Sequence, residues 1–213
     1  ITMPTYTSQP AAAAGEDTWI LDTAAITNNE TQTTIAAAVY DDRGSTQTAK
    51  CLLRWTASEI PRGSRVITGT LSLYVNNLGS TAQPIIIGET LKPWDESEVT
   101  WTIYSSGNNW STAGGAAGVD YSTKGSPASS TPGSAGSTFS QDVKNLCKRR
   151  TKNTRVFDFF MVQDGTTEMD AVTSFRSSDH GTSGHRPELE VVYAAPVRNR
   201  GSRYNHGRPG HVR

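Results

Sequence analysis

Two carboxylates in one short turn are the residues that first suggest chemistry. Glu96 and Glu98 follow the sequence Pro93-Trp94-Asp95. Glycoside hydrolysis uses two placed carboxylates, one of which has a raised pKa. Because both glutamates lie in a turn, we interpret Glu96 as a brace for that turn. No serine lies in a Gly-x-Ser-x-Gly elbow between a strand and a helix. The sequence therefore predicts a protein that is not an enzyme.

Acidic residues in other turns raise the question of a metal site. Their oxygen atoms are the ligands that calcium prefers, but no EF-hand spacing is present, and turn formation explains them equally well. His180 and His185 lie five residues apart in a Gly/Ser-rich stretch with no cysteine nearby, which favours a surface loop over a zinc site. We predict no metal and no cofactor, with calcium as the alternative. The acids in question are Asp41, Asp42, Asp120, Asp164 and Asp170.

Aromatic side chains offer a third chemistry, since their flat faces can stack on sugar rings. Trp110 lies in a segment, residues 105–137, that is rich in Gly, Ser, Thr and Ala, and Tyr104 and Tyr121 lie near it. These three residues are our candidate ligand-binding platform. The alternative is that Trp110 plugs the end of the fold. Trp55 and Trp101 are expected in strands, with their rings in the core.

The pattern of the chain predicts an all-β fold with one short helix. Val66 to Val75 alternates apolar and polar residues with the period of two that is typical of a strand. The helix is expected over Asp142 to Arg149, where Val143, Leu146 and Cys147 share one face. Short strands separated by turn signals favour a β-sandwich. Further strands are expected at residues 17–21, 35–40, 50–55, 84–91, 99–101, 156–162, 171–176 and 188–193.

Composition and charge divide the 213 residues into a body and two ends. We predict an N-terminal arm over residues 1–16, a sandwich over 17–195 and a basic tail over 196–213. The tail holds five of the arginines and no acid, although the formal net charge of the chain is zero. Its Arg198, Arg200, Arg203 and Arg208 are candidate assembly contacts. The tail is short and has one aromatic residue, so we expect no nucleic-acid partner.

Two further features bear on location and cross-linking. No run of about 18 apolar residues is present, so no membrane span is predicted. The first residues lack a basic region followed by an apolar one, so we expect no export signal, with translation starting at Met3. Cys51 and Cys147 are interpreted as two buried thiols, and a disulfide bond between them is left open.

Several short motifs, taken in order, resemble those of the DNRLRE (disaggregatase-related) domain, which is also classed with family 96 carbohydrate-binding modules. The resemblance covers residues 17–194 and implies a jelly-roll-like β-sandwich without enzyme activity. The tail, residues 196–213, lies outside it. The motifs are Asp17-Thr18-Trp19-Ile20, Leu52-Leu53-Arg54-Trp55, Ile60-Pro61-Arg62-Gly63, Leu71-Ser72-Leu73-Tyr74-Val75, Trp94-Asp95-Glu96, Val99-Thr100-Trp101, Phe139 with Asp142-Val143, Phe175-Arg176-Ser177, and Arg186-Pro187 with Leu189 and Val191 to Tyr193.

Two functions from different classes follow from this sequence. The first hypothesis is a bacteriophage virion component, such as a capsid decoration, fibre or tail protein. It would dock through its ends on identical copies or on capsid or tail proteins at the virion surface. The alternative is a carbohydrate-binding module of a secreted bacterial protein that acts on polysaccharide. A virion protein of this kind could also bind a glycan, so polysaccharide is an expected partner in both.

Overall fold

The computed structural model describes residues 3–11, 14–79, 81–152, 154–164, 168–169 and 172–196. They form antiparallel sheets packed face to face, which confirms the all-β sandwich, while jelly-roll connectivity stays a prediction. The strands are β1 (Thr5–Ser8), β2 (Glu16–Leu21), β3 (Thr34–Asp42), β4 (Ser45–Thr56), β5 (Arg65–Asn77), β6 (Ile85–Thr90), β7 (Ile103–Ser105), β8 (Asn108–Asn109), β9 (Tyr121–Ser122), β10 (Thr138–Asp142), β11 (Val156–Gln163), β12 (Glu168–Met169), β13 (Thr173–Arg176) and β14 (Glu188–Ala194).

The strands divide into two layers. We call β2, β3, β4, β11, β6 and β9 the front sheet, in which β4 pairs with β11 on one side and with β2 and β3 on the other. The back sheet contains β1, β14, β5 and β10. The strand β13 pairs with both β3 and β5, so it joins the two layers. The short strands β7 and β8 form a separate pair.

The main core lies between the two sheets. The inward residues of β5 are Leu71, Leu73 and Val75, and all three are fully buried. Their outward neighbours are polar because this face of the back sheet meets solvent, which is the reason for the period of two. The front sheet contributes buried side chains such as Trp55 and Phe159, whose rings meet edge to face with centroids 5.8 Å apart.

A second core covers the outer face of the front sheet. Leu52 of β4 and Phe160 of β11 point away from the main core and are fully buried, because the chain between residues 91 and 122 packs over them. Strands that are buried on both faces have continuous apolar runs. This explains Cys51-Leu52-Leu53 and the run from Phe157 to Met161. We call residues 91–122 the outer layer.

The single α-helix among the described residues confirms the predicted one with shifted ends. Helix α1 spans Lys144–Arg150 and buries Leu146 and Cys147. The Asp142 carboxylate accepts the backbone N–H of Lys144 at 2.9 Å, as expected of a capping residue. Within the part of the chain that the structure describes, no helix has the length and apolar character needed to cross a membrane.

Two predicted segments need correction. Val99 to Trp101 is not a strand, because the Val99 N–H bonds back to the Asp95 carbonyl at 2.8 Å and so continues the turn. Thr5–Ser8, predicted to be part of an arm, forms β1 and pairs with β14. The sandwich therefore begins before residue 17. The tail arginines Arg198, Arg200, Arg203 and Arg208 lie outside the described residues.

The cysteine question, left open by the sequence, is answered by the fold. Cys51 and Cys147 are both fully buried free thiols in the main core. Burial raises the pKa of the Cys147 thiol to about 12 and that of the Cys51 thiol well above its ordinary value. Both groups are therefore neutral and behave as small apolar side chains.

Candidate functional site

Trp110 is part of the second core and does not present an exposed ring. Only 4% of the residue is exposed, and its ring meets Phe160 edge to face at 5.9 Å between centroids. Its indole N–H donates to the Thr100 carbonyl at 2.9 Å, so the polar end of the ring is satisfied inside the protein. The Trp110 ring is therefore not an exposed platform in this structure, which agrees with the alternative of a plug, and contact of Trp110 with a ligand stays a prediction.

The other two candidate residues lie beside Trp110. Tyr121 is 9% exposed and stacks flat on Phe160, with centroids 4.5 Å apart. Tyr104 is partly buried, and its ring centroid is 5.5 Å from that of Trp110. The structure thus brings the three predicted residues together, but around core side chains. Whether any of them touches a ligand stays a prediction.

A buried carboxylate fixes the Gly-rich part of the outer layer. Asp120 is fully buried and accepts the backbone N–H groups of Ser111 at 3.0 Å and Ala116 at 2.8 Å. Burial alone would raise its pKa, but these hydrogen bonds, one from the Ser111 hydroxyl and the charge on Lys92 lower the pKa of Asp120 below its ordinary value. The segment is therefore an ordered cover for the sheet.

A lysine from β4 ties the same segment to the sheet. Lys50 Nζ donates to the carbonyls of Gly114 at 2.8 Å and Gly115 at 3.1 Å, and lies 5.3 Å from the ring centroid of Trp101. Gly114 has a φ of +79°, and a Cβ there would lie 2.3 Å from the Trp101 ring. Only glycine fits this contact. Trp101, predicted in the core, is partly buried at its edge.

A groove of about 490 Å³ opens beside the outer layer, and we call it the Arg54 groove. Its walls come from β2, β4, the segment 90–94, the end of α1 and β11. Leu91, 42% exposed, and Pro93 contribute apolar surface. Its charged lining residues are Glu16, Arg54, Lys92, Arg150 and Asp158.

Arg54 is held by three separate contacts. Its Nε lies 2.5 Å from Asp158 Oδ1, its Nη1 lies 2.6 Å from Glu16 Oε2, and its Nη2 donates to the Trp94 carbonyl at 2.8 Å. The guanidinium carbon is 4.4 Å from the centroid of the Trp94 ring, and Trp94 is only 2% exposed. Burial would lower the pKa of Arg54, but the charges of Asp158 and Glu16 raise it. The groove therefore has a rigid, charged floor.

The rim of the Arg54 groove carries two further cations. Lys92 Nζ is 3.6 Å from Asp120 Oδ1 and 5.7 Å from the ring centroid of Tyr104. Arg150 donates to the Thr90 carbonyl at 2.6 Å and forms an ion pair with Glu89. Together with the carboxylates, these groups offer donors and acceptors beside apolar surface. Such a lining suits a hydroxylated ligand with one apolar face.

A pair of carboxyl groups lies near this groove but does not line it. The Asp17 N–H donates to Glu96 Oε1 at 2.6 Å, which confirms that Glu96 braces the turn. Burial, opposed by a hydrogen bond from the Ser178 N–H, raises the pKa of Asp17 to about 7. Burial, together with the charges of Asp17, Glu16 and Asp179, raises that of Glu96 to about 8. Neither group is among the residues that line the groove.

The described residues contain no group of three or more His, Cys, Asp or Glu side chains placed to hold a metal. Asp41 instead accepts the Gly44 N–H in a turn, and Asp170 lies outside the described residues. His180 and His185 lie near each other, with ring centroids 5.9 Å apart, and His185 ends a short 3-10 helix, Ser183–His185. The absence of a cofactor and of calcium stays a prediction.

Comparison with known families adds an observation that the geometry alone does not supply. Residues 8–104 match carbohydrate-binding module family 96. The match covers a little less than half of the chain, from the end of β1 to β7, and it supports a carbohydrate-binding module-like domain. A module of this kind is non-catalytic by itself. No curated protein matches the chain.

Proposed function

We propose that this protein binds a polysaccharide in the Arg54 groove and does not cleave it. The observation that carries the proposal is the family 96 match over residues 8–104, because this range supplies the groove residues of β2 and β4 and the segment 90–94. The resemblance to DNRLRE domains extends the same proposal over residues 17–194. Such a role favours an extracellular, secreted protein.

The groove has the properties that a saccharide site needs. Arg54 is already fixed by Asp158 and Glu16, so little side-chain entropy is lost when a ligand binds. Leu91 and Pro93 can cover the apolar face of a sugar ring, while Lys92 and Glu16 lie within the same groove to meet its hydroxyl groups. Hydrolysis is not supported, since Glu16 and Asp158, the two carboxylates that line the groove, are both paired with Arg54.

The virion hypothesis is not carried forward. It rested in part on arms at both ends that could bind neighbouring proteins, but Thr5–Ser8 pairs with β14 of its own sheet. The basic tail lies outside the described residues and lends no support. The family match favours the carbohydrate-binding alternative.

Lys92→Gln should weaken polysaccharide binding by about tenfold, the effect of one lost charge-assisted hydrogen bond. Affinity electrophoresis on gels that contain neutral polysaccharide (mixed-linkage β-glucan or galactomannan) or acidic polysaccharide (pectin or xanthan) would measure it. Lys148→Gln is the matched control, because it removes the same charge from an exposed position on α1 outside the Arg54 groove. Leu91→Ala tests the apolar rim without any change of charge.

The expected result is a loss of retardation in Lys92→Gln and Leu91→Ala but not in Lys148→Gln. Leu91→Ala and Lys148→Gln should melt close to the wild type, whereas Lys92→Gln should melt at a lower temperature, because it removes the cation beside the buried Asp120. An equal loss in Lys148→Gln would indicate diffuse charge attraction in place of a groove. Unchanged retardation in both groove variants, or a wild-type protein that no polysaccharide retards, would contradict the proposed function.

A further inference from the structure

The outer face of the back sheet contains a second, smaller cavity of about 160 Å³, which we call the Tyr74 pocket. Tyr74 and Ser72 point outward from β5 and line it. The register places Glu188 of β14 opposite Ser72 and Thr138 of β10 opposite Tyr74, and both also line the pocket. This pocket lies on the face of the sandwich opposite the Arg54 groove.

The Tyr74 ring is held from one side. The His185 ring stacks on it with centroids 3.8 Å apart, and the guanidinium carbon of Arg176 lies 4.6 Å from its centroid. Arg176 Nη1 is also in direct contact with His185 Nδ1. If His185 and Arg176 lay on opposite faces of the Tyr74 ring, they would be about 7 Å apart, twice the van der Waals contact distance. They are instead in direct contact with each other. Both groups therefore share one face of Tyr74.

The other face of Tyr74 carries no further ring or cation contact among the described residues. An aromatic ring that lines a pocket and is already held by a stacked neighbour is pre-organised for stacking, because the ring does not have to be ordered when a ligand arrives. Tyr74 itself is partly exposed.

Two charged groups at the Tyr74 pocket complement this face. Arg186 Nε donates to the His180 carbonyl at 2.9 Å, which fixes the guanidinium, and its terminal nitrogens make no hydrogen bond to the residues that the structure describes. The Glu188 carboxylate has no hydrogen-bond or ion-pair partner within the described part of the chain. A carboxylate accepts only, and a guanidinium donates only. Together they can bind adjacent hydroxyl groups, which both donate and accept.

We propose that the Tyr74 pocket is a second ligand site, which binds one neutral pyranose residue of a polysaccharide. The apolar face of the sugar stacks on the part of the Tyr74 ring that lines the pocket, while Glu188 accepts from two neighbouring hydroxyl groups and Arg186 donates to a ring or hydroxyl oxygen. Glu188, which lines the pocket without an ion-pair partner among the described residues, would repel the carboxylate of an acidic sugar placed beside it. The class of ligand rests on the proposed function, but the site is separate from the Arg54 groove.

The test is affinity electrophoresis with the two neutral polysaccharides, mixed-linkage β-glucan and galactomannan. We expect Glu188→Gln, which keeps the side-chain shape, to raise the dissociation constant about fivefold through the lost charge-assisted bonds. Tyr74→Ala should have at least the same effect. Glu190→Gln is the matched control, since it makes the same change on the same strand and face, outside the pocket lining. Its binding should equal that of the wild type.

The outcomes separate this site from the Arg54 groove. The Tyr74 pocket is supported if Glu188→Gln binds neutral polysaccharide more weakly at an unchanged melting temperature while Glu190→Gln binds like the wild type. This holds even if Lys92→Gln binds normally. If Lys92→Gln weakens binding while Glu188→Gln and Tyr74→Ala both bind normally, the second site is overturned and the Arg54 groove remains as the binding site. A wild-type protein that neither neutral polysaccharide retards also overturns the second site. If Glu190→Gln weakens polysaccharide binding as much as Glu188→Gln does, the effect comes from the overall negative charge of this sheet face. That result would also overturn the second site.

Discussion

Trp110→Ala should lower the free energy of unfolding by about 3–5 kcal/mol, the range for removing a large aromatic ring from a core. The residue is 4% exposed and packs against Phe160 and Tyr104. The substitution would also leave the buried Thr100 carbonyl without its indole donor, which adds to the cost. Urea unfolding, followed by tryptophan fluorescence from the remaining indoles, would measure the change.

Two further variants serve as comparisons for the stability lost in Trp110→Ala. Trp110→Phe keeps most of the ring but removes the N–H donor, so it should cost less than Trp110→Ala. Ile26→Ala changes an apolar side chain that is 85% exposed, and it should alter the free energy of unfolding by no more than about 0.5 kcal/mol. If Trp110→Ala unfolded at the same urea concentration as the wild type, Trp110 would have to be an exposed ring after all.

The free energy of unfolding should fall as the pH rises from about 5.5 to about 8.5. Folding raises the pKa of Asp17 from 3.8 to about 7 and that of Glu96 from 4.5 to about 8. A carboxyl with a raised pKa keeps its proton in the folded state over this window while the unfolded chain has already lost it. The stability it contributes is therefore complete below about pH 4 and is lost as the pH approaches 7 to 8. For the buried Asp17, the loss above pH 5.5 is at most about 2 kcal/mol.

Neutral variants of the two groups provide the check. Asp17→Asn and Glu96→Gln keep the side-chain shape but cannot ionise, so each should flatten the fall in melting temperature over this window. Glu98→Gln is the control, because Glu98 lies in the same turn but accepts the Ser106 N–H and does not touch Asp17. Equal slopes for the wild type and for Asp17→Asn would show that Asp17 is ionised throughout, contrary to its burial.

Strands could be predicted from the sequence where one face is buried and the other is exposed to solvent. Val66 to Val75 is such a case, since its alternation fixes both the strand and its inward residues. The helix could be found for the same reason, from the spacing of Val143, Leu146 and Cys147. The strand β1 escaped prediction because Thr5–Ser8 is short, at an edge and mostly polar, with Tyr6 as its one large apolar side chain against the main core.

The outer layer could not be predicted from its own composition. Residues 105–137 resemble a flexible loop because Gly, Ser and Thr dominate, and the buried role of Asp120 has no local signature. The outer layer could have been predicted from strands β4 and β11, which carry apolar residues on both faces. Two apolar faces require a cover on the outside as well as a core inside. This reasoning would have moved Trp110 into the second core.

Part of the Arg54 groove could also have been predicted from the sequence. Asp158 is the single charge of β11, and Arg54 interrupts the apolar run from Cys51 to Trp55 in β4. Charged residues are almost never fully buried unless they are paired. The register places them directly opposite each other on β4 and β11. Their pairing could therefore have been expected from sequence. The partners Glu16, Trp94 and Lys92 come from other segments, and only the fold brings them to the same groove.

A ¹⁵N–¹H nuclear magnetic resonance titration of the full chain would show directly whether polysaccharide binds in the Arg54 groove. The titrant is a soluble oligosaccharide prepared from whichever polysaccharide retards the protein most. We expect the largest amide shifts to cluster at Leu91, Lys92 and Trp94 and at Thr154, Val156 and Asp158, which line the groove from two sides. A shift pattern that leaves these amides unchanged and concentrates elsewhere, such as in the basic tail, would contradict binding in the Arg54 groove.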